Sequence, residues 1–381
     1  MAFFDLETLR FTWWALLGVL LIAFAVTDGY DLGVGALLPF VARNDGERRM
    51  VINTVGPNWE GHQVWFILGG GAIFAAWPFV YAVSFSGFYL AMFVVLAALI
   101  LRPVGFKYRS KRDDPAWRSR WDWALCVGGG VPALVFGVAV GNVLLGVPFR
   151  FDSDLRVFYE GGFLELFSPF ALLCGGLSVA MLVQHGGAWL AMKVEAGPVH
   201  ARARSHGLVA GLASLLLFAV GGIWVAYGDM GFRIVGTADH FGPSNPLRTA
   251  VEAAPGAWLA NYSAAPLTLL APLAGLLGGL LALLGNAGRR ERLAFVGSGV
   301  SCAGIIATVG VSMFPFMLPS STDAQSSLTV WNASSTGHTL GIMLFVTAVF
   351  LPLILVYTAW ALRVMRGRVT QHELAVNPDL Y

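Results

Sequence analysis

Two acidic residues lie inside the first long apolar stretch of the chain. Asp28 and Asp31 occur in the run FAVTDGYDLGVG and are three residues apart, so they share one face of a helix. Ionisable side chains within a membrane span usually belong to an ion or proton path or to a buried pair, because hydrocarbon solvates charge poorly. The alternative is a pair of ordinary charges at a frayed helix end, where the C-terminal dipole disfavours carboxylates.

Three more charged residues border apolar stretches. Glu60 and Asp122 each stand near the start of a predicted helix, where a carboxylate caps free N–H groups, so a capping role and a functional role are both open. Arg102 ends another stretch, in LRPVGF, and its natural partner is Asp28, Asp31 or Asp122. Because a buried ion pair needs both members, loss of Arg102 is expected to harm assembly. The alternative is a lone arginine that extends to the membrane interface.

Histidine and cysteine form no recognisable metal or haem site in the sequence. His62, His185 and His338 are the only histidines on or near apolar stretches, and no facing pair is evident. The cysteines lie in apolar runs without the spacing of a zinc site. We therefore predict polar histidines with satisfied hydrogen bonds, and we assign no metal ligand, haem ligand or catalytic residue to this chain.

The composition is typical of a membrane protein. Of 381 residues, 57% are hydrophobic and 12% are charged, whereas soluble domains are about a quarter charged. The net charge of +2 gives no support for binding to nucleic acid. Glycine recurs within the apolar runs, where small residues let membrane helices approach closely. These features predict an all-α integral membrane protein built as a helix bundle.

About nine apolar runs are long enough to be transmembrane helices. They are 11–40, 61–77, 79–101, 123–146, 162–192, 208–228, 266–284, 293–318 and 337–362. One division falls at Trp77–Pro78, where proline is expected to cut one long run into two. Eight spans, one of them kinked, is the alternative.

Basic residues occupy every second connection between these runs, as the positive-inside rule requires for nine spans. The rule predicts a periplasmic N-terminus and a cytoplasmic C-terminus, and it places Asp28 roughly 25 Å into the membrane, towards the cytoplasmic side. We predict one polytopic domain, residues 1–381, with a periplasmic loop near 229–265.

The segment FAVTDGYDLGVG, with the preceding LRFTWWALLGVLLI, resembles the first span of cytochrome bd ubiquinol oxidase subunit II. Further matching segments follow in the same order, and they cover nearly the whole chain. They are NDGERR, NWEGHQVW, GGGAIFAAWP, FSGFY, LRPVGFKYRSK, WDWAL, GVAVGN, MFPFMLPSST, SLTVWNASS and VYTAW.

The resemblance implies a haem-free subunit of a quinol oxidase in the bacterial inner membrane. Its partner would be the larger, haem-bearing subunit I, which holds haem b and haem d, oxidises quinol and reduces oxygen to water. A small single-span subunit and a bound quinone occur in some members of the family, and no residue here assigns either.

The resemblance also implies roles for individual residues. Carboxylates that match Asp28, Asp31 and Glu60 are part of a proton route from the cytoplasm in that family. Relatives have aspartate at the position of Glu60, so the carboxylate here is displaced by one methylene group. Trp65 is the matching candidate for an oxygen path.

Arg102 and Asp122 match positions linked to assembly of the haem complex.

Two other functions stay open on the residues alone. A secondary transporter would also place carboxylates inside a helix bundle, but the inverted repeats common in transporters are not evident. A purely structural subunit is the second alternative.

Overall fold

The computed structural model describes residues 5–370, 372 and 376, and these are mostly helical. The α-helices, in chain order, are α1 (Leu6–Val41), α2 (Asp45–Asn53), α3 (Trp59–His62), α4 (Val64–Ala76), α5 (Pro78–Gly87), α6 (Tyr89–Tyr108), α7 (Pro115–Leu145), α8 (Pro169–Lys193), α9 (Pro198–Tyr227), α10 (Ala260–Ala264), α11 (Leu270–Ala287), α12 (Glu291–Met313) and α13 (Gly337–Val364). The strands are β1 (Phe149–Phe151), β2 (Val157–Tyr159), β3 (Phe232–Ile234), β4 (Val251–Ala253), β5 (Phe316–Leu318) and β6 (Leu328–Thr329).

The predicted all-α membrane bundle is confirmed. Within the described residues, eight helices are long and apolar enough to cross a membrane: α1, α6, α7, α8, α9, α11, α12 and α13. The predicted span at 61–77 is helical as well, but it consists of the short helices α3 and α4. The predicted break at Trp77–Pro78 is also confirmed, since α4 ends at Ala76 and α5 begins at Pro78.

Short β-hairpins in three connections were not predicted. The strands pair as β1 with β2, β3 with β4, and β5 with β6, all antiparallel. The hairpin β3–β4 gives the 229–265 connection an ordered core. Arg10 of α1 holds this connection, because its buried guanidinium donates to the carbonyl oxygens of His240 at 2.6 Å and Gly242 at 3.0 Å.

Helix α1 lies at the centre of the bundle, packed against α4, α7, α8 and α12. Where α1 crosses α8, Gly33 faces Gly186, and a Cβ on Gly33 would lie 2.0 Å from the carbonyl oxygen of Leu182. Backbone atoms cannot move aside cheaply at such a crossing. Small residues at this point therefore set the separation of α8 from α1, the helix that carries Asp28 and Asp31.

Replacing Gly33 by alanine is expected to destabilise the protein by about 1–3 kcal/mol, because the added methyl group forces α1 and α8 apart. Thermal unfolding of the detergent-solubilised protein measures this effect. The matched control is Gly18→Ala in the same helix, where an added Cβ meets no atom within 4 Å. Equal melting temperatures for the two variants would contradict the proposed close packing.

Candidate functional site

A buried ion pair joins α1 to α6. The guanidinium of Arg102 donates to both carboxylate oxygens of Asp28, with each N–O distance 3.0 Å. Both side chains are almost fully buried, at 2% and 1% exposure. The two-pronged geometry suits arginine, whose planar donors match the two oxygens of a carboxylate. Of the partners that the sequence left open for Arg102, the structure selects Asp28.

The second carboxylate of α1 is bonded to a histidine. Asp31 Oδ2 lies 2.7 Å from Nδ1 of His62, and Nε2 of His62 lies 3.3 Å from the hydroxyl of Tyr30. The Tyr30 ring stacks on Trp189 of α8, with 4.1 Å between ring centres. The prediction of a satisfied polar histidine is confirmed for His62, but its partner was missed. The only signal in the sequence was its place in NWEGHQVW, two residues after Glu60.

Asp31 lies in a different electrostatic setting from Asp28. Its Oδ2 is 4.0 Å from the nearest guanidinium nitrogen of Arg102, which already serves Asp28. Its Oδ1 is buried without a hydrogen-bond partner among the residues that the structure describes. Asp31 also lines a small cavity of about 10 Å³, roughly the space that the centre of one water molecule needs. One carboxylate is thus paired with arginine, and the other is bonded to the imidazole of His62.

Asp122 belongs to a separate cluster. Its carboxylate accepts from Arg109 at 2.6 Å and from Arg48 at 2.8 Å, and Arg109 also binds Asp45 at 2.8 Å. The capping interpretation of Asp122 is wrong, because α7 begins earlier, at Pro115, and Asp114 caps it. The suggested pairing of Asp122 with Arg102 is wrong as well. The capping error arose because the apolar run begins later than the helix that contains it.

Glu60 and Trp65 lie on either side of His62. Glu60 is exposed in the first turn of α3, and its side chain makes no hydrogen bond or ion pair with residues 5–370. Its predicted cap interaction is therefore not seen there. Trp65, in the first turn of α4, is only 3% exposed and belongs to the apolar core that α1 and α4 share. The structure thus brings Asp28, Asp31 and Arg102 together and leaves Glu60 at the surface nearby.

Both ring nitrogens of the buried histidines His62 and His185 have hydrogen-bond partners. His185 Nδ1 lies 2.7 Å from the hydroxyl of Ser298, and its Nε2 lies 3.0 Å from the carbonyl oxygen of Val26. Its ring also stacks on Phe295, with 4.8 Å between centres. Both ring nitrogens of His62 are engaged in the same way. A haem ligand would need one of these nitrogens free and facing a haem-sized space.

Comparisons with known proteins place the whole chain in one family. The family model for cytochrome bd terminal oxidase subunit II matches residues 9–365. Cytochrome bd-I ubiquinol oxidase subunit 2 of Escherichia coli strain K12 is 49% identical over 373 residues, which are 98% of each chain. The probable cytochrome oxidase subunit 2 of Haemophilus influenzae is 49% identical with the same coverage. Cytochrome bd ubiquinol oxidase subunit 2 of Bacillus subtilis is 29% identical, over 97% of this chain and 99% of the relative.

A solved structure supports the same fold. A chain of the bd oxidase from Geobacillus thermodenitrificans superposes with a TM-score of 0.63 over 91% of this chain and 98% of that chain. The sequence identity is 15%, so this likeness bears on the fold alone.

Proposed function

The chain belongs to the cytochrome bd terminal oxidase subunit II family, and from this premise we propose that it is the haem-free subunit of its complex and carries protons from the cytoplasmic side. Membership makes it a subunit of a quinol oxidase, a respiratory enzyme that contains haem and a partner oxidase subunit. It is a multi-pass protein of the bacterial inner membrane. The finer roles rest on the geometry of the buried network.

The observation that carries the proton role is the setting of Asp31. A buried carboxylate that contacts an imidazole, that has one oxygen without a described hydrogen-bond partner and that lines a small cavity can accept and release a proton. Glu60 stands at the surface two residues before that imidazole. We propose that protons enter at Glu60 and reach Asp31 through His62. The cytoplasmic location of this end rests on the predicted orientation of the helices.

Arg102 and Asp28 have a positioning role in this proposal. Their two-pronged bond fixes α6 to α1. It also keeps a positive charge 4.0 Å from Asp31, which lowers the desolvation penalty of burying this second carboxylate. The cluster around Asp122 ties α7 to α2 in a comparable way. We assign Arg102 and Asp122 to assembly of the complex.

The haem-free assignment is supported by the engaged ring nitrogens of His62 and His185. We therefore propose that haem b and haem d lie on the partner, haem-bearing subunit I, where quinol is oxidised. Trp65 stays a candidate for an oxygen path on the basis of its place in the family motif. A small single-span subunit and a bound quinone are compatible with the family, and no described side chain assigns them.

Neither alternative function gains support. A secondary transporter is not favoured by the comparisons, because the family model and the curated relatives are all oxidase subunits. A purely structural role remains the alternative to the proton route, and substitution of Asp31 separates the two.

The haem assignment is tested by a reduced-minus-oxidised optical spectrum of the complex that co-purifies with this chain. We expect haem b and haem d bands in the complex and none in the chain after it is separated from its partner. The separated chain should be checked for retained helix content by circular dichroism. Haem bands in the folded, separated chain would contradict the haem-free role.

A further inference from the structure

An open groove of about 880 Å³ lies where α8 ends, α12 begins and α13 ends. Among its lining residues, Trp189 is the one that also contacts the site around Asp28 and Asp31, because it stacks on Tyr30. Five basic residues line it: Lys193, Arg290, Arg292, Arg366 and Arg368. They come from three distant parts of the chain, so only the folded bundle collects their charge.

Within the described part of the chain, basic residues outnumber acidic ones in the groove. Among the described residues its one acidic lining residue is Glu291, whose carboxylate lies 3.3 Å from Nε2 of His200 and also interacts electrostatically with Arg368. The four arginine side chains are exposed and form no hydrogen bond or salt bridge with the part of the chain that the structure describes. Helix α12 also begins at this place, and its dipole adds partial positive charge. The groove therefore suits an anion.

The rim is held by specific bonds. The ammonium group of Lys193 donates to the carbonyl oxygens of Met365 at 2.8 Å and Gly367 at 3.3 Å. The backbone N–H of Val369 donates to the carbonyl oxygen of Lys193 at 2.8 Å. Gly367 has a φ of +134°, a conformation that a residue with a side chain rarely adopts. These contacts fix the turn that carries Arg366 and Arg368.

The inner wall of the groove is apolar. Met192, Leu293 and Leu362 line it beside the ends of three membrane helices. Helix ends lie at the level where lipid headgroups meet hydrocarbon, so a ligand in this position meets cationic side chains at one end and apolar ones at the other. A phosphodiester that carries acyl chains matches both parts, whereas a soluble anion matches only the first.

We infer that this groove binds the phosphate headgroup of an anionic phospholipid. Arg292, Arg366 and Arg368 hold the phosphate, and the acyl chains lie against Met192, Leu293 and Leu362. Basic residues are common at the inner ends of membrane helices, but most lie on convex or open surface. The concave shape, the bonded rim and the adjoining apolar wall distinguish this cluster.

The test uses the intact oxidase complex, stripped of lipid in detergent and studied by native mass spectrometry. The probes are tetraoleoyl cardiolipin, dioleoyl phosphatidylcholine and inorganic phosphate. Each cationic side chain near a membrane surface contributes a factor of about 5 in affinity for anionic lipid, so the triple variant R292Q/R366Q/R368Q should bind cardiolipin on the order of 100-fold more weakly. Phosphatidylcholine binding should be unchanged.

The matched control removes three charges from another predicted cytoplasmic connection. K107Q/K111Q/R120Q changes exposed side chains that form no described ion pair, and its cardiolipin affinity should stay within about 2-fold of the unsubstituted complex. Equal losses in the two triple variants would show diffuse surface charge and overturn the inference. Inorganic phosphate that displaced cardiolipin at equal concentration would also overturn it, because the site would then recognise a free anion.

Discussion

Replacing Arg102 by methionine is expected to prevent assembly of most of the oxidase complex. The substitution keeps much of the side-chain volume but leaves Asp28 as an unpaired charge at 1% exposure, beside a second carboxylate. Breaking a buried pair in this way costs about 3–5 kcal/mol. The amount of intact complex after solubilisation, measured by size-exclusion chromatography with haem absorbance, reports the loss.

Two further variants separate loss of the pair from loss of an arginine. Asp28→Leu combined with Arg102→Met removes both charges, and it should recover much of the assembly because a buried pair can often be exchanged for apolar residues. Arg118→Met is the matched control. The Arg118 side chain is 23% exposed in its salt bridges, so its loss should cost no more than about 1 kcal/mol. Normal yields of the Arg102→Met complex would refute a positioning role for this ion pair.

Replacing Asp31 by asparagine is expected to reduce quinol oxidase turnover on the order of 100-fold, the loss typical when a proton-transfer group is removed. The complex should still assemble with normal haem bands, because the amide fills the same space and Arg102 keeps its two bonds to Asp28. Turnover and proton uptake per oxygen molecule should be measured together in proteoliposomes. A purely structural role predicts that both stay normal in the assembled variant.

Glu60 provides an independent check at the surface end of the same route. Glu60→Gln should slow proton uptake, whereas Glu60→Asp should retain most of it, because the carboxylate is preserved. Both substitutions are at an exposed side chain with no described partner, so neither should affect folding. Equal rates for the two variants would exclude a carboxylate function at Glu60.

The sequence predicted the helical bundle and the family without the structure. Apolar runs of about 20 residues and basic residues in alternate connections are local properties of the chain, and hydrocarbon enforces them directly. The break at Pro78 was predictable for the same reason, since proline acts on its own backbone and on the preceding residue. The candidate carboxylates were also found locally, because a charge within an apolar run stands out wherever its partner lies.

The tertiary structure decided which of these side chains pair with each other. Arg102 was equally compatible with three carboxylates, and the packing of the folded bundle brings it to Asp28. His62 is bonded to Asp31, although the two residues are 31 positions apart in the sequence. Asp122 is bound by Arg48 and Arg109, which both lie outside its own helix. Hydropathy reports only how a residue meets lipid, whereas an ion pair depends on the relative rotation and height of two helices. These are set by close packing at points such as Gly33 and Gly186, which exists only in the folded bundle.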